Sequence, residues 1–258
     1  MVLEDFAIPL PPLPEQRRIV DILSRAEGIV RLRREAEKKA AELIPALFLD
    51  MFGDPATNPK GWSVATLADV CVINPRLSKD QRPPTNTLVS FVPMAAVDEH
   101  YGAITKIETR PYEAVSKGYT AFQSGDVLFA KITPCMENGK AAIADNLENN
   151  LGFGSTEFHV LRPTDKAHKA WLYGLVRRES FRREAKGSFT GTAGQQRVPT
   201  EFLKILNVPI PPMRVQQGFD QALMQVRSIQ SQQSIATTQA QAAFDALLAR
   251  CFTPSAAP

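Results

Sequence analysis

Cysteine is scarce in this chain of 258 residues. Cys71, Cys135 and Cys251 lie far apart, with no CxxC and no Cys–His spacing. That excludes a disulfide framework and a thiolate zinc site, and a reduced cytoplasm accommodates them. Histidine is equally rare: His100, His159 and His168 have no metal-ligand spacing, and His159, inside a strand pattern, reads as structural. No run approaches the roughly 18 uninterrupted apolar residues of a membrane span, and the N-terminus lacks a signal peptide's apolar core. No GxGxxG follows a strand and no GxxxxGK precedes Ser or Thr, so no nucleotide cradle is evident. Tetrapeptides of the NPPY type, which hold an adenine amino group in methyltransferases, are missing too; "INPRL" at Ile73 matches only superficially. Excess charge is also small. The net +3 divides into +4 over residues 57–206 and −1 elsewhere, which permits an anionic partner without requiring one.

Proline is not scarce, and it marks a repeat. "IPLPPLPEQRRIVDIL" from Ile8 is echoed by "VPIPPMRVQQGFDQAL" from Val208. An offset of 200 aligns Pro9, Pro11, Pro12, Gln16, Leu23, Ile29 and Ala36 with the same residue types, without a gap, across some 45 residues. After each proline cluster the chain reads as a helix, because proline and the residue before it favour extended backbone and then release it. In the first copy Ile19, Ile22, Ala26, Ile29, Arg33 and Ala36 alternate steps of three and four, the seam of a coiled coil. Phe219, Ala222, Val226, Ile229, Gln233 and Ala236 repeat it. At ~1.5 Å per residue, 35 residues make a rod of roughly 50 Å. Antiparallel, centred pairing would put Arg33 and Gln233 in one layer, whereas pairing two first helices would set Arg33 against itself. Helix one is therefore expected to pair with helix two; the alternative is a pair of ordinary bundle helices in a compact core.

Between the helices the pattern changes. "FGDPATNPKGW" is turn-rich, and "SVATLADVCVI", "VSFVPMAAV", "DVLFAKI", "GKAAIA" and "EFHVLRP" read as strands. A helix is expected from about 166 to 186, then a Gly/Thr-rich loop and one helical turn. The fold class is α+β: one mixed domain flanked by two long helices forming an antiparallel coiled coil. Asp126, Glu137 and Glu157 read as structural or solvated carboxylates. The polar loops suit nucleic acid better than catalysis. They offer Lys131, Thr133, Asn138 and Lys140, then Ser155 and Thr156, then Thr192, Gln195, Gln196 and Arg197. Gln and Arg bond base edges in two places, and hydroxyl and amide groups reach bases or phosphates. Arg177, Arg178, Arg182, Arg183 and Lys186 form a basic face that is either a phosphate contact or a solvated helix face.

Taken in order, "IPLPPLPEQRRIVDIL", "FGDPATNPKGW", "GDVLFAKITPCMENGK", "GFGSTEF" and "GTAGQQRVPTEFLKILNVPIPP" resemble the specificity subunit of Type I restriction–modification systems across nearly the whole chain. The resemblance implies a non-catalytic, cytoplasmic protein that reads half of a split double-stranded DNA target with each recognition domain. Its helices would space the half-sites and dock methyltransferase subunits, with restriction subunits adding cleavage. S-adenosylmethionine, ATP and Mg would be bound by those partners, and none by this chain. On this pattern residues 1–13 are the remnant of a preceding recognition domain, 14–54 the first spacer helix, 55–206 a recognition domain, and 207–258 the second helix and tail. Only one recognition domain is expected, either in a homodimerising half-subunit or in a truncated one. A protein-only coiled-coil scaffold and a methyltransferase with unrecognised motifs remain the alternatives.

Overall fold

A computed structural model describes residues 10–192 and 194–252. The expected domain remnant at 1–13 lies mostly outside the described residues. In chain order the first elements are α1 (Leu13–Phe52), β1 (Ser63–Thr66), α2 (Leu67–Val70), β2 (Cys71–Ile73), β3 (Leu88–Val92), β4 (Glu108–Pro111), α3 (Tyr112–Val115), β5 (Thr120–Gln123) and β6 (Val127–Ala130). There follow β7 (Ala141–Ile143), β8 (Leu151–Gly154), β9 (Phe158–Pro163), α4 (Lys169–Arg177), α5 (Glu179–Gly187), α6 (Thr200–Ile205), β10 (Asn207–Ile210) and α7 (Met213–Phe252). The chain divides into two compact units, Met1–Glu42 with Val226–Pro258, and Leu43–Gln225.

The first unit is a pair of antiparallel helical segments from α1 and α7. Arg33 Nη1 lies 3.5 Å from Gln233 Oε1, Arg34 Nη2 donates to Gln241 Oε1 (2.9 Å), and buried Gln230 donates to the Ala40 carbonyl (2.8 Å). The expected polar layer of Arg33 and Gln233 is therefore present. Ile19, Ile22, Ala26, Ala36 and Val226 are half-buried along the contact. The seam departs from expectation at one shared step of the two copies. Ile29 and Ile229 are 54% and 45% exposed, while Val30 and Gln230 are 5% and 6% exposed. A strict three-four alternation averages 3.5 residues per turn; an α-helix takes 3.6 and drifts ~20° per heptad, so the contact row advances by one residue. The slip falls at the same repeat position in both helices.

The repeat reaches hydrogen bonds. Gln16 Nε2 donates to the Pro11 carbonyl at 2.7 Å, and Gln216 Nε2 to the Pro211 carbonyl at 2.8 Å. Each glutamine thus pins the proline turn that opens its helix. In the second unit fully buried Gln216 also accepts the His168 amide through Oε1 (2.7 Å).

The second unit is built on two four-stranded sheets. One runs β2-β9-β6-β7, antiparallel throughout; the other runs β4-β3-β8-β5, with β3 and β8 parallel. β1 pairs with β10, opposing Pro209 to Val64. Proline is tolerated there because a two-stranded ribbon leaves an edge with no ladder bond to lose. Val92, Phe122, Leu128, Phe158 and Val160 share one apolar core contributed by both sheets. α4 packs on β6, β7 and β9 and brings buried Trp171, Leu172 and Leu175. Both faces of β6 are therefore covered, and Val127, Leu128, Phe129 and Ala130 are all buried.

The expected helix over 166–186 is two helices, because Arg178 takes extended backbone (φ −63°, ψ 139°) between them. In one straight helix, at ~100° per residue, Phe181 would point roughly 140° away from Val176. The break lets both be buried, with Phe181 edge-on to Phe129 at 5.5 Å. β8, read from sequence as a loop, is a central strand. Its glycines are needed by close approach: a Cβ on Gly152 would meet Phe122 at 2.2 Å, and one on Gly154 the Val92 carbonyl at 2.4 Å.

Candidate nucleic-acid interface

Three backbone segments from different parts of the second unit meet at one surface: the loop after β6, the β8–β9 turn, and the loop between α5 and α6. Lys131 donates its amide to the Glu157 carbonyl (2.9 Å), Val198 to Lys131 (3.0 Å), and Thr133 to Gln196 (3.0 Å). The last loop is also closed on itself. Thr190 and Arg197 exchange backbone hydrogen bonds at 3.1 and 2.9 Å, and the Gln195 amide reaches the Thr192 carbonyl at 3.0 Å. Gly191 and Gly194 supply the positive φ that this tight return needs (+109° and +82°).

Arg197 joins two of the segments. Its Nε and Nη2 clasp Glu157 at 2.9 and 2.8 Å, and its Nη1 donates to the Gln195 carbonyl (2.7 Å). The hydrogen bonds from Arg197 hold the Glu157 carboxyl below the usual carboxylate range, against its partial burial. The loop backbone is thus anchored while several of its polar side chains stay unbonded. Among the described residues the side chains of Lys131, Thr156, Thr192, Gln195 and Gln196 make no hydrogen bond within the chain. Ser155 at the β8–β9 turn accepts the Glu157 amide (3.2 Å), and the Thr133 hydroxyl donates to Glu137 (2.6 Å).

Of the remaining sequence candidates, three are engaged internally. Asn138 donates to Glu99 (3.1 Å), Lys140 Nζ to the Val97 carbonyl (3.0 Å), and Arg178 to the Pro45 carbonyl (3.3 Å). Arg182 is half-buried beside Gly139, where burial and then Arg177 push its pKa down. Arg177 ties two loops through the carbonyls of Glu99 and His100 (3.0 and 2.9 Å) on one and of Gly139 (3.4 Å) on the other, Arg183 pairs with Glu179 (3.0 Å), and Lys186 with Glu137. The three carboxylates singled out in the sequence are separated as well. Asp126 forms a buried pair with Arg162 (2.8 Å), Glu137 binds Lys186, and Glu157 binds Arg197.

One feature near this surface had no signal in the sequence. A cleft of about 600 Å³ opens between the stretch 74–82, the stretch 116–121 and the β8–β9 turn. Lys131 and Thr156 belong to its wall, together with Arg76, Arg82, Lys117 and Tyr119. "INPRL" supplies Arg76, and no motif links it to Lys117, 41 positions further on.

His159 stands behind the surface as a buried bridge. Its Nε2–H donates to the Val198 carbonyl (2.8 Å), and its Nδ1 accepts from Asn74 Nδ2 (3.0 Å), itself oriented by the Val160 amide (3.0 Å). Burial pushes its pKa below the usual histidine value, so the folded ring stays neutral where the unfolded one protonates. The unfolded state then binds more protons below pH ~6.5, and stability declines as pH falls through that value toward the lowered folded pKa. Glu157, with a lowered pKa, loses its contribution at still lower pH. The thermal midpoint is expected to drop between pH ~7 and ~5, and His159→Gln to flatten that slope in scanning calorimetry. An unchanged slope in the variant would remove His159 as the cause.

These features define a domain that offers anchored polar loops on a rigid mixed-sheet scaffold. The chain belongs to the family described as the Type I restriction modification DNA specificity domain, whose model matches residues 1–42 and 59–238. It is 37% identical over 166 residues to the Type I restriction enzyme EcoAI specificity subunit of Escherichia coli, covering 63% of this chain and 27% of that protein. With the EcoEI specificity subunit of Escherichia coli it shares 34% over 171 residues, or 65% and 28% of the two chains. The matched region thus spans little more than a quarter of the length of these curated relatives. Two solved structures share the fold at 24% identity. One is a chain from work on complex assembly and conformational transition of the type I R-M system (TM-score 0.61; 96% of this chain, 61% of that one). The other is the HsdS subunit from Thermoanaerobacter tengcongensis (TM-score 0.53; 95% and 60%). No described helix is long and apolar enough to cross a membrane.

Proposed function

We propose that this chain is a non-catalytic, sequence-specific DNA-binding component of a Type I restriction–modification complex. The observation that carries it is the surface where Lys131, Thr133, Ser155, Thr156, Thr192, Gln195, Gln196 and Arg197 converge, with backbones pinned and the glutamine side chains unbonded. Amides held on a preorganised loop lose little freedom on meeting base edges, and a glutamine matches adenine in two places. The Arg197–Glu157 clasp favours a positioning role for Arg197, since most of its donors are already engaged within the chain. The domain would read one part of a split site, and the paired helices would act as spacer and docking surface for methyltransferase subunits. Restriction subunits, and the S-adenosylmethionine, ATP and Mg of the reaction, would belong to the assembled complex, in the cytoplasm. A homodimer would read a two-fold symmetric site.

Selection from a random duplex library, with the chain alone and with methyltransferase subunits, tests this reading. Enrichment of one motif is the expected result. Recovery of unenriched DNA under both conditions would overturn it in favour of a protein-only scaffold.

A further inference from the structure

The cleft beside the proposed reading surface is unusual in the state of its cations. Elsewhere in the second unit many arginine and lysine side chains are occupied: Arg110 with Glu108, Arg162 with Asp126, Lys169 with Asp145, Lys204 with Glu201, and much of the α4–α5 row as described. In the cleft, Arg76, Arg82, Lys117 and Lys131 have no ion pair or side-chain hydrogen bond among the described residues. No aspartate or glutamate lines it. Lys131 is balanced in part by nearby Glu157, whereas Arg76, Arg82 and Lys117 are uncompensated; cations gathered around one concavity concentrate positive potential there, an arrangement that an anionic ligand relieves. Arg76, Arg82 and Lys117 are exposed, so their heads reach solvent rather than the core.

The rest of the lining narrows the ligand. Tyr112, Tyr119 and Phe153 supply apolar walls between the charges, as a sugar–phosphate chain with alternating anionic and carbon-rich parts requires. Lys131 and Thr156 lie both in the cleft wall and in the reading cluster, so the two are one continuous surface. We infer that the cleft is a phosphodiester track: it grips the backbone of the DNA strand whose bases lie against the loop at 192–197. Arg76, Arg82 and Lys117 would supply affinity without sequence information, and the loop amides sequence information with less affinity. This rests on the DNA-binding reading above.

The test is the salt dependence of binding to a fluorescein-labelled duplex of mixed sequence, followed by anisotropy from about 50 to 200 mM salt. The triple variant Arg76→Ala, Arg82→Ala, Lys117→Ala is expected to flatten the slope of log K against log salt by roughly 0.9 per lost phosphate contact, about 2–3 in all. Arg76→Lys with Arg82→Lys keeps the charges and should keep the wild-type slope, which separates lost contacts from a damaged fold. Lys106→Ala with Lys166→Ala removes two exposed charges outside the cleft and should change the slope little. A triple variant with an unchanged slope, or a control pair that flattens it equally, overturns the track. The library selection separates this from the reading itself. A wild-type motif with an unaltered salt slope sinks the track alone; a flattened slope with no motif in the wild type sinks sequence reading and leaves the track.

Discussion

Phe219→Ala is expected to destabilise the second unit by about 3–5 kcal/mol, the cost of emptying a fully buried aromatic site. Phe219 has no exposed surface, and its ring meets Phe48 and Phe52 edge-on at 5.6 and 5.3 Å, with those two 4.8 Å apart. The rings come from the end of α1 and the start of α7, and α4 admits them by being glycine where they touch. A Cβ on Gly174 would stand 2.3 Å from Phe48 and 3.2 Å from Phe219. With rigid backbone on several sides, the cavity left by alanine has little room to collapse. Ile229→Ala provides the contrast, because Ile229 is another repeat-aligned seam position and is exposed. Its cost should stay within about 0.5 kcal/mol. Urea midpoints of the two variants measure the difference. A Phe219→Ala penalty under about 1 kcal/mol would mean that the aromatic cluster is not a structural anchor.

Gln196→Ala should reduce binding to the selected motif by roughly 5- to 150-fold, the 1–3 kcal/mol of one two-point base contact, and relax selection at one position. Gln196 accepts the Thr133 amide through its backbone carbonyl, an interaction that alanine keeps, and its side chain is unbonded. The substitution removes a reading group and leaves the loop in place. Non-specific affinity and salt slope should therefore stay at wild-type values, opposite to the pattern expected of the cleft. Glu157→Ala would have a different signature, since it frees Arg197 and loosens the loop. Affinity then falls for every target together. Library selection with each variant distinguishes the two. Equal losses at all positions for Gln196→Ala would reassign it from reading to positioning.

Parts of this molecule can be read without coordinates. Matching the chain against itself exposes the two helices and their common register, and locates Arg33 opposite Gln233. The seam residue is harder, because 3.5 and 3.6 residues per turn diverge only after several turns; Ile29 and Val30 are both apolar, so the pattern alone does not choose between them. Strands with a strong apolar run, such as β6 and β9, are visible, and β8 is not. Its Gly152 and Gly154 look like loop residues until Phe122 and Val92 are seen pressed against them. β10 hides inside a proline motif for a similar reason: a two-stranded edge tolerates what an interior strand does not.

The candidate surface divides along the same line. Residue chemistry alone pointed to polar loops rather than to a catalytic centre, and each of the three segments carries its donors within a few positions. Their meeting depends on sheet order. β6 and β9 are neighbours although 27 residues, 131–157, separate them, and Lys131 and Val198 bond across 67 positions. The cleft is further from view still, since Arg76, Lys117 and Lys131 stand beside three different strands drawn from two sheets. What the amino-acid sequence determined by itself is what local periodicity and self-similarity encode: long helices, their pairing register, the class of the domain and the kinds of group it can offer. Which cations are neutralised, which stay free, and which loops share a surface was decided only by tertiary structure. Those outcomes depend on non-local strand pairing and on distances between side chains, and neither leaves a periodic trace along the chain.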